Sequence, residues 1–347
     1  MNARNTTTHP LLRFHFYNTQ MGSHLDKPVT EKDSDNDTLE GGLLYSGSAM
    51  QGWRVNMEDS HCAKGLVIGG EKASLVCVFD GHGGDLVAIE AAKRVQPTMQ
   101  TALSGCSDTS NPKEIGEKMQ EGFMTLDEDL KKMAPVQSGE DQSGCTAIVA
   151  IITKTHIIVA NAGDARGILM QGDAVKPMSF DHKPTNEGET KRIEAAGGCV
   201  SMRRVNGDLA VSRALGDFTY KQTDSMPAKD QMVSAFPDIE IAERDGSEQF
   251  LLLCCDGIWD VMSNDEAGAF IQQLIIRKYA GEPLSKANER LLDKCLEKGS
   301  RDNMSAVLVV NPSAITPGEG VKPPEVVFQE QQAAMEADGS DTKTQRV

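Results

Sequence analysis

Apolar residues in this chain fall in short continuous runs, at 75–79, 144–152, 157–160, 250–255 and 305–310, rather than in strict alternation with polar ones. Runs of that length bounded by turn residues read as strands covered on both faces. The segments 144–152 and 156–160 flank Thr153-Lys154-Thr155 and are expected to form a hairpin. Helical spacing is clearest at 113–133, where Ile115, Met119, Phe123, Leu126, Leu130 and Met133 recur at steps of three and four, as core residues rather than a cofactor box. A helix is also expected over 85–100. Thr185 is positioned to cap another that runs to Ala196 and ends at Gly197-Gly198, with Lys191, Arg192 and Glu194 turned to solvent. Ser263-Asn264-Asp265-Glu266 is a capping box for a helix with Phe270, Ile271, Leu274 and Ile275 on one face, and a last helix over 285–298 stops at Gly299.

Polar stretches divide the chain. Residues 1–41 carry Thr6-Thr7-Thr8 and Asp33-Ser34-Asp35-Asn36-Asp37 and are predicted to be a mobile arm; 42–312 is one folded unit, and 313–347 a disordered tail with a short helix near 329–337. The acidic tract is no calcium loop, because Thr38 stands where the sixth position needs Gly and Leu44 where the twelfth needs Glu. Residues 217–232 are polar with little periodicity and are expected to lie over a site as a lid.

The runs matter chemically because of what stands at their ends. The first delivers Asp80, Gly81 and His82 into Gly83-Gly84, which reads as a turn where the main chain can approach an ion or a phosphate. Residues 157–160 lead to Asp164, 250–255 lead to Asp256, and Asp302-Asn303 opens 305–310. In antiparallel neighbours the start of one strand lies beside the end of the next, so the four acids are expected to gather at one rim of a sheet. Two carboxylates about 4 Å apart repel by roughly 4 kcal/mol at an effective dielectric near 20, and cations must offset a cluster of them. Hard oxygen-seeking ions, Mg2+ or Mn2+, suit the set, and no His/Cys spacing suits zinc. Arg54 and the pair Glu58-Asp59 also stand out, flanking Met57 and following Trp53 in a segment that reads as partly covered.

Charge and cysteine content narrow the partners. With 35 basic against 51 acidic residues the formal charge is -16, which argues against broad nucleic-acid or anionic-membrane binding. No stretch has the length of a membrane-spanning helix, so the chain is expected to be soluble. The eight cysteines show no paired spacing and are expected to be reduced thiols in a cytosolic or nuclear protein.

Taken together the motifs resemble the metal-dependent serine/threonine protein phosphatases of type 2C. The likeness rests on Gly52 through Asp59, Phe79-Asp80-Gly81-His82-Gly83-Gly84, Ser143 through Ala147, Asn161-Ala162-Gly163-Asp164-Ala165-Arg166, Asp181-His182-Lys183-Pro184, Leu209 through Asp217, Cys255 through Met262, and Gly299 through Met304. The resemblance implies an α+β fold, a four-layer αββα sandwich of two antiparallel sheets flanked by helices, with two tightly bound Mg2+ or Mn2+ ions at one end and a third, weaker one. It implies that Asp80 bridges two ions, that the Gly81 carbonyl ligates one, and that Asp256 and Asp302 complete the other. Glu58 and Asp59 would act through metal-bound water, and Asp164 with Asp256 and Asp260 would hold the third ion. Arg54 would grip the phosphate and His82 would be the general acid, with Asn303 supporting the ligands. Phosphoserine and phosphothreonine proteins would be the substrates of a monomeric cytoplasmic or nuclear enzyme.

Residues 21–28 also resemble the N-myristoylated start of the animal alpha/beta branch. As written Gly22 is internal, so a membrane partner requires a processed form starting at Met21. With only residues 313–347 after the core, that branch's three-helix C-terminal extension is not expected.

Two alternatives keep the fold or the ions and change the function. A pseudophosphatase scaffold would need a broken ligand set, and all the family's acids are present. A two-metal nuclease would need a basic groove, which the sequence lacks. Cys199, followed by Arg203 and Arg204, lacks the Cys-x5-Arg spacing of a cysteine-nucleophile phosphatase, and a P-loop enzyme is excluded by the absence of any Gly-Lys dipeptide.

Overall fold

The computed structural model describes residues 24–277 and 282–314. In chain order these form β1 (His24–Thr38), β2 (Leu44–Arg54), β3 (Ser60–Ile68), β4 (Glu71–His82), α1 (Leu86–Ala102), α2 (Pro112–Lys131) and α3 (Ala134–Gln137). Next come β5 (Gly144–Ile152), β6 (His156–Ala162), β7 (Arg166–Gln171), β8 (Ala174–Pro177), α4 (Glu187–Ala195), β9 (Val200–Ser201), β10 (Arg204–Val205) and β11 (Leu215–Gly216). The last are β12 (Asp238–Glu243), β13 (Glu248–Cys254), α5 (Asp256–Trp259), α6 (Asn264–Arg277), α7 (Ser285–Glu297) and β14 (Met304–Val310).

Two sheets carry the architecture. One has the order β1-β2-β14-β13-β7-β8, the other β12-β6-β5-β4-β3 with β11 joined to β5, and every pairing within them is antiparallel. Residue parity explains the layering, because successive strand side chains point to opposite faces. Val76, Val78, Ile148 and Ala150 pack between the sheets with Leu253, Val307 and Val309. Their neighbours Leu75, Cys77, Phe79, Val149 and Ile151 pack outward under α1 and α2 with Val95, Met119 and Phe123. Helices α6 and α7 cover the other sheet through Ile271, Leu291 and Leu292. The four-layer αββα sandwich is the arrangement that strands apolar on both faces require.

Several sequence expectations need correction. Residues 24–38 belong to β1, not to a mobile arm; residues 1–23 lie outside the described part. Periodicity missed this strand because it sits at a sheet edge and keeps most of its side chains in solvent. Its polar groups make the cross-links: Ser34 and Ser48 share a hydroxyl bond of 2.9 Å, Gly47 N–H donates to Asp35 at 3.1 Å, and Ser285 N–H donates to Asn36 at 2.8 Å. Strand β4 continues through Asp80, Gly81 and His82, paired with Thr146, Cys145 and Gly144, and the turn begins only at Gly83 and Gly84, both with positive φ. Asn186 rather than Thr185 precedes α4, and α2 ends at Lys131 before Met133. The Ser263 capping box forms as expected, Ser263 N–H donating to Glu266 at 2.9 Å and Glu266 N–H to Ser263 at 3.2 Å. The short helix expected near 329–337 lies outside the described residues.

Arg192 was expected on a solvated face and instead is largely buried, holding down the segment after β11. It donates to the carbonyls of Ser212 and Gln231 and to Glu189 at 2.7 Å, while Arg213 grips the same carboxylate at 2.8 Å and Asp238 at 2.7 Å. Glu189 remains ionised to about 2: burial opposes this, and the two guanidiniums outweigh it. Removing the acid leaves two covered cations unpaired. Glu189→Ala is therefore expected to destabilise the fold by about 3–5 kcal/mol, read as a lower urea midpoint at unchanged slope. A loss under about 1 kcal/mol would show that the arginines simply turn out to water.

Candidate active site

The four strand-end acids do converge, but from both sheets rather than at the rim of one. Asp80 ends β4 and Asp164 follows β6, whereas Asp256 follows β13 and Asp302 precedes β14. Since β4 and β6 run the same way on either side of β5, and β13 ends where β14 begins, all four reach the same mouth of the sandwich. Oxygens of Asp80, Asp164 and Asp256 lie within 4.8 Å of one another, and a second trio of Asp59, Asp80 and Cys255 meets the same limit. Asp80, Asp164 and Asp256 line a cleft of about 940 Å³ with Arg54, Gly81, His82, Asp260 and Asp302.

Close backbone approach builds this mouth. A side chain at Gly81 would collide with the Glu58 carbonyl, and one at Gly257 with the Asn303 carbonyl. Asn303 ties the segments together: its Nδ2 donates to the carbonyls of Gln51 and Asn56, each at 2.9 Å, and its Oδ1 accepts from Glu58 N–H at 2.9 Å. The loop that carries Arg54, Glu58 and Asp59 is thereby clamped to the turn that carries Asp302.

Electrostatics follow from crowding. Burial, then the charges of Asp256, Asp59 and Asp164, pushes Asp80 well above the usual carboxylate range; burial and the charge of Asp164 do the same to Asp256. Asp59 is pushed up to about 6, chiefly by burial, although Ser305 donates to its Oδ2 at 2.7 Å. Burial also raises Glu58 and Asp260. Asp59 Oδ1 and Thr146 Oγ1, beside Asp80, are buried without a hydrogen-bond partner. Buried acceptors left open among repelling carboxylates are what a hard cation satisfies, so the residues fit divalent metal ions.

Cations of the chain itself surround the cluster. Arg54 donates to Asp302 at 2.6 Å, and Lys183 contacts Asp164. Arg166 holds Asp181 through Nε and Nη2 at 2.9 and 2.8 Å, donates to Asn264 at 2.8 Å and lies 5.2 Å from the Trp259 ring, which fixes the turn after Asp164. His182 braces the same turn, accepting from Gly163 N–H at 3.2 Å while its other nitrogen meets Asp238 at 3.0 Å. His82 Nε2 lies 2.7 Å from Oδ2 of the buried Asp217; burial lowers the His82 pKa and Asp217 more than offsets it, so the imidazole is raised.

Lys183 and Asp217 are functional neighbours that sequence reasoning did not assign. Both stand inside motifs noted above, but each partner is distant in sequence, with His82 and Asp217 separated by 135 positions. Asp217 adopts a left-handed backbone, φ 51°, which turns its carboxylate back beneath the histidine.

Residues 43–304 match the family Protein phosphatase 2C. The chain is 41% identical over 298 residues to Protein phosphatase 1A of Homo sapiens, covering 85% of this chain and 77% of that protein. It is 41% identical over 297 residues to Protein phosphatase 1B of Rattus norvegicus, covering 83% and 75%. Among solved structures, a phosphatase from a pathogenic strain of Toxoplasma gondii shares the fold with a TM-score of 0.69 at 22% identity, over 84% of this chain and 98% of that one. A match to most of the folded unit, together with relatives at this identity, establishes that the chain belongs to the protein phosphatase 2C family.

Proposed function

We propose that this chain removes phosphate from phosphoserine and phosphothreonine in proteins, using two tightly held Mg2+ or Mn2+ ions and a third, weaker one. The chain is a metal-dependent protein serine/threonine phosphatase by family, and the observation that carries the finer reading is the convergence of Asp80, Asp164 and Asp256 beside the unsatisfied Asp59 oxygen. In this reading Asp80, the Gly81 carbonyl, Asp256 and Asp302 would hold the two central ions, with Glu58 and Asp59 supporting them. Asp164, Asp256 and Asp260 would hold the third. When bound, the ions supply an activated water for attack at phosphorus and offset the negative charge of acids and phosphate.

The chain's own residues do the rest. The Arg54 guanidinium, anchored by Asp302 at the cleft, binds phosphoryl oxygens as a planar fork. Since His82 Nε2 is hydrogen-bonded to Asp217, Nδ1 is the nitrogen available to give a proton to the departing serine or threonine oxygen. Asp217 acts through His82 as a positioning residue. Every acid whose loss would have left a non-catalytic scaffold is present. We further propose a monomer in the cytoplasm and nucleus, where the free thiols of all eight cysteines would remain reduced, with no nucleic-acid partner. Membrane association would require a form starting at Met21, outside the described residues.

Metal removal gives the first test. Exhaustive chelation should abolish dephosphorylation of phosphopeptides and Mg2+ or Mn2+ should restore it, while Asp80→Asn and Asp256→Asn should abolish turnover with the fold intact. Activity that survives chelation defeats the proposal. Carboxylates held above their unfolded pKa keep protons more tightly when folded, so they weaken the fold as pH rises through the window between the two values. For Asp59 that window runs from 3.8 to about 6. Chelated protein should therefore melt at a higher temperature near pH 5.5 than at pH 7.5 (about one unit either side of the usual histidine range), and saturating metal should flatten the slope.

Asp164→Ala should lower turnover by one to two orders of magnitude, roughly the effect of losing a supporting group at a metal centre, while calorimetry still detects tight binding at the central pair. Loss of tight binding would move Asp164 into that pair. For the proton, His82→Ala should cost about 10²–10⁴-fold on phosphopeptides and phenyl phosphate but far less on p-nitrophenyl phosphate, whose leaving group needs no acid. Asp217→Asn should show the same dependence on leaving group in weaker form. Equal losses across aryl phosphates of graded leaving-group pKa would make His82 an organiser of the metal site.

A further inference from the structure

Away from the cleft, on the outer face of the second sheet, two thiols face each other. Cys62 on β3 and Cys77 on β4 are direct register partners, and their sulfurs are 3.1 Å apart. Directly opposed residues on antiparallel strands have Cα atoms about 4.5–5.5 Å apart, inside the range a disulfide accepts, and the sulfurs need to close by only about 1 Å. Among the described residues no other cysteine is hydrogen-bonded to a second thiol: Cys199 is exposed, and Cys106, Cys145, Cys254, Cys255 and Cys295 are buried. Neither Cys62 nor Cys77 has a part in the phosphatase reading.

The two thiols differ in access and in charge. Cys77 is fully covered, packed with Leu75 and Phe79 beneath α1. Cys62 is half-buried and lines a separate open cleft of about 810 Å³ with His61, Lys64, Ala92 and Lys93. The hydrogen bond with Cys77 lowers the Cys62 pKa and Lys64 adds to this, outweighing burial and the charge of Asp35; burial pushes Cys77 well above the usual thiol range. The more readily ionised thiol is thus the accessible member and the less readily ionised one the hidden member, the division of labour between an attacking and a resolving cysteine.

We propose that Cys62 and Cys77 are a redox modification site, a dithiol that a small peroxide converts reversibly into a cross-strand disulfide. The Cys62 thiolate attacks one peroxide oxygen, the O–O bond breaks, and the second oxygen leaves as hydroxide and takes up a proton to become water; Cys62 is now a sulfenic acid. The Cys77 sulfur then attacks the Cys62 sulfur, the S–O bond breaks, and the departing hydroxide takes the Cys77 proton and leaves as a second water. Two thiols are oxidised by two electrons and one peroxide is reduced to two waters. In a reducing compartment such a bond is transient and dithiols reverse it, which marks it as regulatory rather than structural.

The experiment uses the full chain in Mg2+ buffer with hydrogen peroxide as the probe and mass spectrometry as the readout, so that its failure leaves the phosphatase reading untouched. Lys64 and Lys72 lie between the cysteines, and trypsin therefore separates them unless the sulfurs are joined. Mild peroxide should yield a linked pair of peptides lighter by two hydrogens than the sum of its reduced parts, and dithiothreitol should release it. Cys62→Ser should abolish the link. Cys77→Ala should leave a sulfenic acid on Cys62 that dimedone captures, several-fold more than in the unmodified sequence. If Cys62 is oxidised to sulfinic acid as readily with Cys77 present as without it, if it links to a different cysteine, or if neither thiol reacts at doses that oxidise Cys199, the proposal is wrong.

Discussion

Mutual repulsion among carboxylates is the constraint on which the rest of this structure depends. Bringing Asp80, Asp164 and Asp256 within 4.8 Å of one another costs more than any surface ion pair returns, and a fold that does this must hold the acids by force. The force comes from the sandwich. Each acid sits at the end of a strand whose preceding residues are covered on both faces, so moving the carboxylate away means pulling apolar side chains such as Val78 or Leu253 from the core. Close packing at Gly81 and Gly257 and the three bonds of Asn303 leave the loops between strands little room to relax.

A second tier of charges holds the chain after β11 against this mouth. Asp238 receives both His182 and Arg213, Arg213 shares Glu189 with Arg192, and Lys221 is buried against Asp127 at 2.8 Å. His82 meets Asp217 at the point where this segment begins. The groups proposed to deliver the proton are therefore tied through Asp217 to the segment that follows β11.

Much of this was legible in the sequence, for identifiable reasons. Apolar runs with a terminal acid revealed β4, β6, β13 and β14 and the carboxylates they carry, because burial on both faces leaves a continuous signal. That the acids come from two sheets was not legible, since strand order depends on pairings between residues distant along the chain. β1 was missed because an edge strand exposed to water has no apolar pattern to read. The contact of Asp217 with His82 was hidden for the same reason as the strand order: a hydrogen bond spanning 135 positions leaves no local trace. Arg192 looked like any helix-surface cation, and only the tertiary fold shows that three carbonyls and a buried acid converge on it.

Because the acids come two from each sheet, ions held at this mouth would clasp the layers as well as serve the chemistry. A ligand that binds only the docked form stabilises it by mass action, in proportion to the logarithm of its concentration. Cation supply would then bear on how firmly the two sheets stay docked, not only on how fast the chemistry runs.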